Sequence, residues 1–296
     1  MIDGVTVLEY KPLRVVFKNH SQGIFFVAAP LVSAILTFSD ARRLSLVRKV
    51  VNQFIRQHYT PYELVVVNGT DSRVLTNDSM ENDSMQAAGC GLTEVYAASG
   101  LNSAAMKNHG LKVASGEWVI CIDDDDYVHP GRLLYQMAHR RDGKACLLRH
   151  QLRVDVSAAL TFMDDTVLTS FRPGLYLVNN PEGVPNTIIF PRLKPDGTVW
   201  QFNTEINTGE YEALLAEMRK CDIGFVICDN QHNAFITGMH WPLLSVAMYH
   251  GGNELTREQF FPDGNTVNMG QIPNGLNAQD MDCLKNILRS YNFSVQ

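Results

Sequence analysis

EWVICIDDDD, residues 117–126, sets an apolar, β-rich run directly against four consecutive aspartates. Trp118, Val119, Ile120 and Ile122 suit a buried strand, and the run stops where the acidic residues begin, so the strand delivers carboxylates to its C-terminal edge. In open α/β sheets ligands bind outside the carboxyl ends of the strands, which favours a site at this position. Adjacent carboxylates repel one another, and water, basic side chains or a cation must offset the charge. A hard divalent ion, Mn²⁺ or Mg²⁺, is the natural partner, because it takes oxygen ligands from one or two carboxylates together with the phosphates of a substrate. Taken alone, Asp123 to Asp126 reads equally well as a solvated acidic turn.

The flanking sequence reads as strand, helix, strand. Leu31 to Phe38 is apolar and ends at Ser39-Asp40, two good helix N-caps. In Ala41 to His58 the apolar Leu44, Val47, Val51 and Phe54 recur at three- and four-residue steps, with Arg42, Arg43, Arg48, Lys49 and Arg56 on the other face. That pattern predicts an amphipathic helix lying on a sheet. Glu63 to Val67 is a second buried strand closed by Asn68-Gly69, and Asn102 to Ala114 is helical in pattern. Thr76 to Gly91, with its near-duplicate NDSM-E-NDSM, reads as a mobile loop or insertion. Further on, helices are expected over Gly131 to Arg141, Thr208 to Lys220 and Ala278 to Tyr291, and a strand over Ile223 to Cys228.

Composition narrows the class. A chain of 296 residues with 45% hydrophobic content buries one large α/β core. The longest apolar run, Ile24 to Phe38, is broken by Pro30, Ser33 and Thr37 and falls short of the roughly 20 residues that cross a bilayer. No transmembrane segment is expected, and no secretory signal opens the sequence, so a cytoplasmic location is the expectation. The six cysteines show no zinc-site spacing, and no cysteine chemistry is assigned to them. A net charge of −6 argues against coating nucleic acid. One local exception is the basic stretch His139 to Arg153, with Arg140, Arg141, Lys144 and Arg149, which reads either as a solvated helix end and exposed strand or as a phosphate-contacting surface.

Two longer stretches carry a family likeness. VSAILTFSDARRLSLVRKVVNQFIRQHYTPYELVVVNGT resembles the opening of family-two glycosyltransferases, and NSAAMKNHGLKVASGEWVICIDDDDYVHPGRL resembles that family's helix, Ala-x-Gly-Glu strand, Asp-x-Asp and proline-leucine pattern. Their order and spacing over residues 31 to 134 carry the likeness. It implies an α/β, GT-A (nucleotide-diphospho-sugar transferase) fold with a mixed, mostly parallel sheet flanked by helices. The expected plan is an N-terminal extension of edge strands over 1–30 and a catalytic domain over 31–250, divided into a nucleotide-binding half (31–134) and an acceptor half (135–250). A C-terminal loop and helix would occupy 251–296. The implied reaction is a metal-dependent, inverting transfer of a sugar from a nucleoside-diphosphate donor to a hydroxyl acceptor.

Residue by residue, the resemblance implies that Thr37, Ser39 and Asn68 line the base and uridine-like part of the donor, a UDP-sugar being favoured. Asn68 stands where the family commonly has aspartate, which leaves the base open, and Lys107 matches a position usually held by arginine. Asp123 would approach the ribose and Asp125 the metal, with Asp124 or Asp126 adjacent and the register open by one. GVPNTIIFPRLKPDGTVWQFNTEINTGEYEALLAEM resembles the region that supplies the general base, but Tyr211 falls where the aspartate is expected. A phenol with a pKa of about 10 is a poor base at neutral pH, so Glu210 or Glu212 takes the role or the base lies elsewhere. Glutamates there also suit a helix N-terminus for dipole reasons. A third metal contact would come from His232, with His240 competing.

The acceptor is expected to be a glycan, with duplex DNA carrying a modified base as the more distinctive case, held through residues 139–153. A catalytically inactive nucleotide-sugar binding protein is the alternative from another class, favoured by Tyr211 and Asn68. A nucleotidyltransferase is the other enzyme reading, without a glycine-rich, lysine-bearing loop to support it.

Overall fold

The computed structural model describes residues 15–17, 25–27, 29–74, 90–156, 175–229, 244–249, 284, 286 and 287. Its elements in chain order are β1 (Val15–Phe17), β2 (Phe25–Val27), β3 (Val32–Phe38), α1 (Leu44–Phe54), β4 (Tyr62–Asn68), β5 (Gly91–Tyr96) and α2 (Ser103–Val113). Then come β6 (Trp118–Asp123), β7 (Tyr127–Val128), α3 (Arg132–His139), β8 (Ala145–Leu148), β9 (His150–Asp155) and β10 (Leu175–Asn179). β11 (Ile189–Pro191), α4 (Glu210–Lys220), β12 (Phe225–Cys228) and β13 (Ser245–Tyr249) complete the described chain.

Seven strands form the central sheet in the order β12-β8-β11-β6-β3-β4-β5. β6, β3, β4 and β5 run parallel, as do β12 and β8, while β11 lies antiparallel between β8 and β6. The sheet is therefore mixed and mainly parallel, as expected. The period of two along β3 sorts its side chains into two cores. Ala34, Leu36 and Phe38 pack with Val47, Val51 and Phe54 of α1, and Ile35 packs on the other face with Met106 and Leu111 of α2 and Leu214 of α4. A second sheet, β10-β9-β13-β7, stands beyond the C-terminal end of β6.

Two glycines mark close approaches. A Cβ on Gly110 would meet Ile35 Cγ2 at 2.4 Å, so α2 rests on the sheet through a glycine. A Cβ on Gly116 would meet Ser33 Oγ at 2.5 Å and backbone of residues 31 and 33, and the Gly116 N–H donates to that hydroxyl at 2.7 Å. The glycine of the Ala-x-Gly-Glu pattern is thus a packing requirement at the start of β6.

Several expectations are sharpened. β1 and β2 pair with each other, and neither belongs to the central sheet, whose edges among the described residues are β12 and β5. Cys146 and Cys228, distant in sequence, bring their Sγ atoms to 3.0 Å on the neighbouring strands β8 and β12. Within the basic stretch, two side chains are engaged and the strand is covered. Arg140 donates to the Met137 carbonyl, Arg149 pairs with Asp229, and β9 is a largely buried strand instead of an exposed one. The 76–89 part of the predicted loop lies outside the described residues, as does most of the predicted helix 278–291.

Candidate active site

β3 and β6 end side by side, with Thr37 opposite Asp123 in register. Their C-terminal edges open into a cavity of about 400 Å³ that is also lined by the start of α4. This is the range of small-ligand sites. Of the residues singled out in the sequence, Thr37, Ser39, Asp123, Asp124, Asp125, Glu210 and Glu212 line it, as does Tyr211. Asn68 does not. It is fully buried at the end of β4, where its carboxamide donates to the Ser72 carbonyl and Glu94 and accepts from the Thr70 N–H and hydroxyl. His232 and His240 lie outside the described residues.

Lys107 sits beneath the cavity floor, 1% exposed. Its Nζ is 2.8 Å from Glu210 Oε1, 2.9 Å from Ser103 Oγ and 3.4 Å from Asp123 Oδ1, and it stands 4.3 Å from the centre of the Tyr211 ring. Burial alone would push the ammonium down, but the charges of Asp123 and Glu210 override it and hold its pKa well above the usual value. Burial likewise would raise Glu210, and Lys107 overrides that, leaving its carboxyl below the ordinary range. Glu210 is therefore a committed ion-pair partner. Tyr211 is buried, and burial together with Asp123 pushes its phenol well up, so it stays neutral. Its hydroxyl has no hydrogen-bond partner among the described residues. Glu212 is exposed at the cavity wall and makes no ion pair or hydrogen bond among the described residues.

The aspartates differ in role. Asp126 also lines the cavity and is held by burial and its acidic neighbours well above the usual carboxylate range, with Arg132 opposing the shift. Asp124 is raised for the same reasons, burial first and Asp125 next, with Arg43 opposing. Arg43 is the residue the sequence pattern misplaced. Periodicity put it on the solvent face of a helix, yet residues 41–43 form a tighter 3₁₀ turn capped by Asp40, and the guanidinium swings over the sheet edge to Asp124 Oδ1 at 2.6 Å and to Asp125 Oδ2. Arg153, read as part of a surface stretch, also lines the cavity.

The donor chemistry suits a hard cation. Carboxylate oxygens crowd one strand end, and a guanidinium already stands in for a positive charge among them. Among the described residues no three His, Cys, Asp or Glu side chains converge as a complete ligand set, so the remaining ligands would come from elsewhere, phosphate oxygens included.

Residues 35–155 match the family model for Glycosyl transferase family 2, a span running from β3 through β9. No curated protein matches the chain. Among solved structures, S. aureus TarS is similar at 16% identity and a TM-score of 0.49, covering 74% of this chain and 37% of that one. TarS 1-349 in complex with UDP-GlcNAc aligns at 15% identity and a TM-score of 0.48, over 79% of this chain and 61% of that one. The mannosyltransferase PcManGT from Pyrobaculum calidifontis, in complex with GDP-Man and Mn²⁺, aligns at 14% identity and a TM-score of 0.47, over 89% and 73%. The chain thus spans little more than a third of the longer TarS structure and about three-fifths of the shorter. No described helix is long and apolar enough to cross a membrane. The family match thus falls on the part of the mixed sheet whose parallel strands end at the aspartates, and residues 35–155 are what the chain shares with Glycosyl transferase family 2.

Proposed function

We propose that the chain moves a sugar from a nucleoside-diphosphate donor, a UDP-sugar first among them, to a hydroxyl of a glycan, with Mn²⁺ or Mg²⁺ at Asp125 and Asp123 and in the cytoplasm. The observation that carries the reading is the meeting of Asp123 to Asp126, Thr37 and Ser39, and the start of α4 around one cavity. Thr37 and Ser39 border the donor's nucleoside end, and Asp123 approaches the ribose with Asp124 beside it. A bound divalent cation would supply charge neutralisation of the departing diphosphate.

Lys107 keeps Asp123 and Glu210 in fixed positions, so Glu210 orients the floor of the site and Glu212 is left to serve as base. Its carboxylate accepts the proton of the acceptor hydroxyl as that oxygen bonds to the anomeric carbon and the bond to the diphosphate oxygen breaks. In-line displacement inverts the anomeric centre. The engagement of Arg140 and Arg149 and the burial of β9 favour a glycan acceptor over duplex DNA. Tyr211 at the family's base position, with Glu210 engaged by Lys107, favours one second reading, a protein that binds nucleotide sugars without turning them over.

Calorimetry with UDP-, GDP-, ADP- and dTDP-sugars, with and without Mn²⁺, tests the reading. One donor class should bind, and only with the cation. Binding of neither Mn²⁺ nor any sugar nucleotide would refute it, and binding without release of nucleoside diphosphate would select the second reading.

A further inference from the structure

Arg43 has no part in the reaction as set out above, yet its guanidinium occupies the carboxylates that the reaction gives to a cation. Its Nη2 lies 2.6 Å from Asp124 Oδ1 and also contacts Asp125 Oδ2, and its side chain is only 21% exposed. Its Nε is buried and without a partner among the described residues. The residue borders the same cavity as Thr37, Ser39 and Glu212. A divalent ion at Asp125 and a guanidinium on the same carboxylate oxygen exclude each other by charge and by space. An ion that takes these same oxygens therefore displaces the guanidinium. A largely buried cation stripped of its partners is strongly unfavourable, so it needs a second anion within reach. The planar fork, with Nε still unused, matches phosphate oxygens, and a diphosphate is the anion that would arrive with the ion.

We infer that Arg43 is a ligand of the donor's diphosphate, exchanging Asp124 and Asp125 for phosphate oxygens as cation and donor enter together. The inference rests on the reading in the preceding subsection. It makes Arg43 an opponent of the free cation and a partner of the cation-nucleotide pair.

Calorimetry of Mn²⁺ binding, and of UDP or GDP binding in saturating Mn²⁺, on wild type and Arg43→Met separates the roles. Removing the guanidinium should tighten Mn²⁺ alone by roughly tenfold and weaken the nucleoside diphosphate by roughly ten- to a hundredfold. Arg43→Lys, which keeps the charge and loses the fork, should leave Mn²⁺ affinity near wild type and still weaken the nucleotide; it serves if the methionine variant does not fold. Both affinities moving in the same direction in Arg43→Met, or neither moving, would overturn the inference. A wild type that binds neither Mn²⁺ nor nucleotide would instead remove the reading on which it rests.

Discussion

Lys107 Nζ lies 2.8 Å from Glu210 Oε1, joining α2 to the first residue of α4. The ammonium is almost wholly buried, and Asp123 Oδ1 stands 3.4 Å away, so one cation holds together groups drawn from three elements.

Removing that cation should be costly. Lys107→Met leaves Glu210 and Asp123 repelling each other without compensation, and a loss of about 3 kcal/mol is expected. Urea unfolding of the variant reads it directly, and an unchanged midpoint would show that the pair contributes nothing net.

The two glutamates at the start of α4 should separate in their effects. Glu212→Gln removes the proposed base without disturbing a described ion pair, so turnover should fall by about 10²- to 10⁴-fold with stability unchanged. Glu210→Gln breaks the Lys107 pair and should show its main loss in stability. Initial rates and melting curves on both variants check the division, and a fully active Glu212→Gln would move the base elsewhere.

How much of this was legible in advance depended on the kind of signal. β3, α1, β4, α2 and β6, with the aspartates at the end of β6, followed from period and punctuation, because a parallel sheet covered on both faces demands nearly continuous apolar strands, whereas β5 went unread. Arg43 escaped because helical periodicity was extended through residues 41–43, where the chain makes a tighter turn that points the third residue across the sheet edge. Asn68 lies off the cavity because a side chain at a strand end satisfies its neighbours as readily as a ligand, and here Thr70, Ser72 and Glu94 use both ends of its amide. Arg153 lay in a charged stretch, and no local pattern distinguishes a cation at a cavity from one in solvent.

Gly116 offers a test of the close approach before β6. Gly116→Ala drives a methyl against the backbone at 2.7–2.8 Å as well as the Ser33 hydroxyl, and the fold must shift to admit it. Gly110→Ala meets the side chains of Ile35 and Val67, which can give. We expect about 1–3 kcal/mol for Gly110→Ala and more for Gly116→Ala by chemical denaturation. The reverse order would contradict the packing described.

Acid should destabilise the fold through His129. Burial, with His58 nearby, lowers its pKa from 6.5 to about 4, and its Nδ1 accepts the Gly131 N–H at 2.9 Å, which requires a neutral ring. The unfolded chain takes up the proton first, so this contribution is complete above pH 6.5 and is lost as pH falls towards 4. Its size is about 3 kcal/mol. His129→Gln should flatten the stability profile between those values, and an unaltered profile would exclude the residue as its source.

The central claim is that a cation held by Asp125 enables transfer from a nucleotide sugar. Nucleoside diphosphate release should be followed for wild type and Asp125→Ala with Mn²⁺, donor and glycan acceptor, circular dichroism confirming that both are folded. Release that depends on Mn²⁺ in the wild type and falls by about 10³-fold or more in the variant is the predicted result. Equal, donor-dependent release from the two proteins would contradict it.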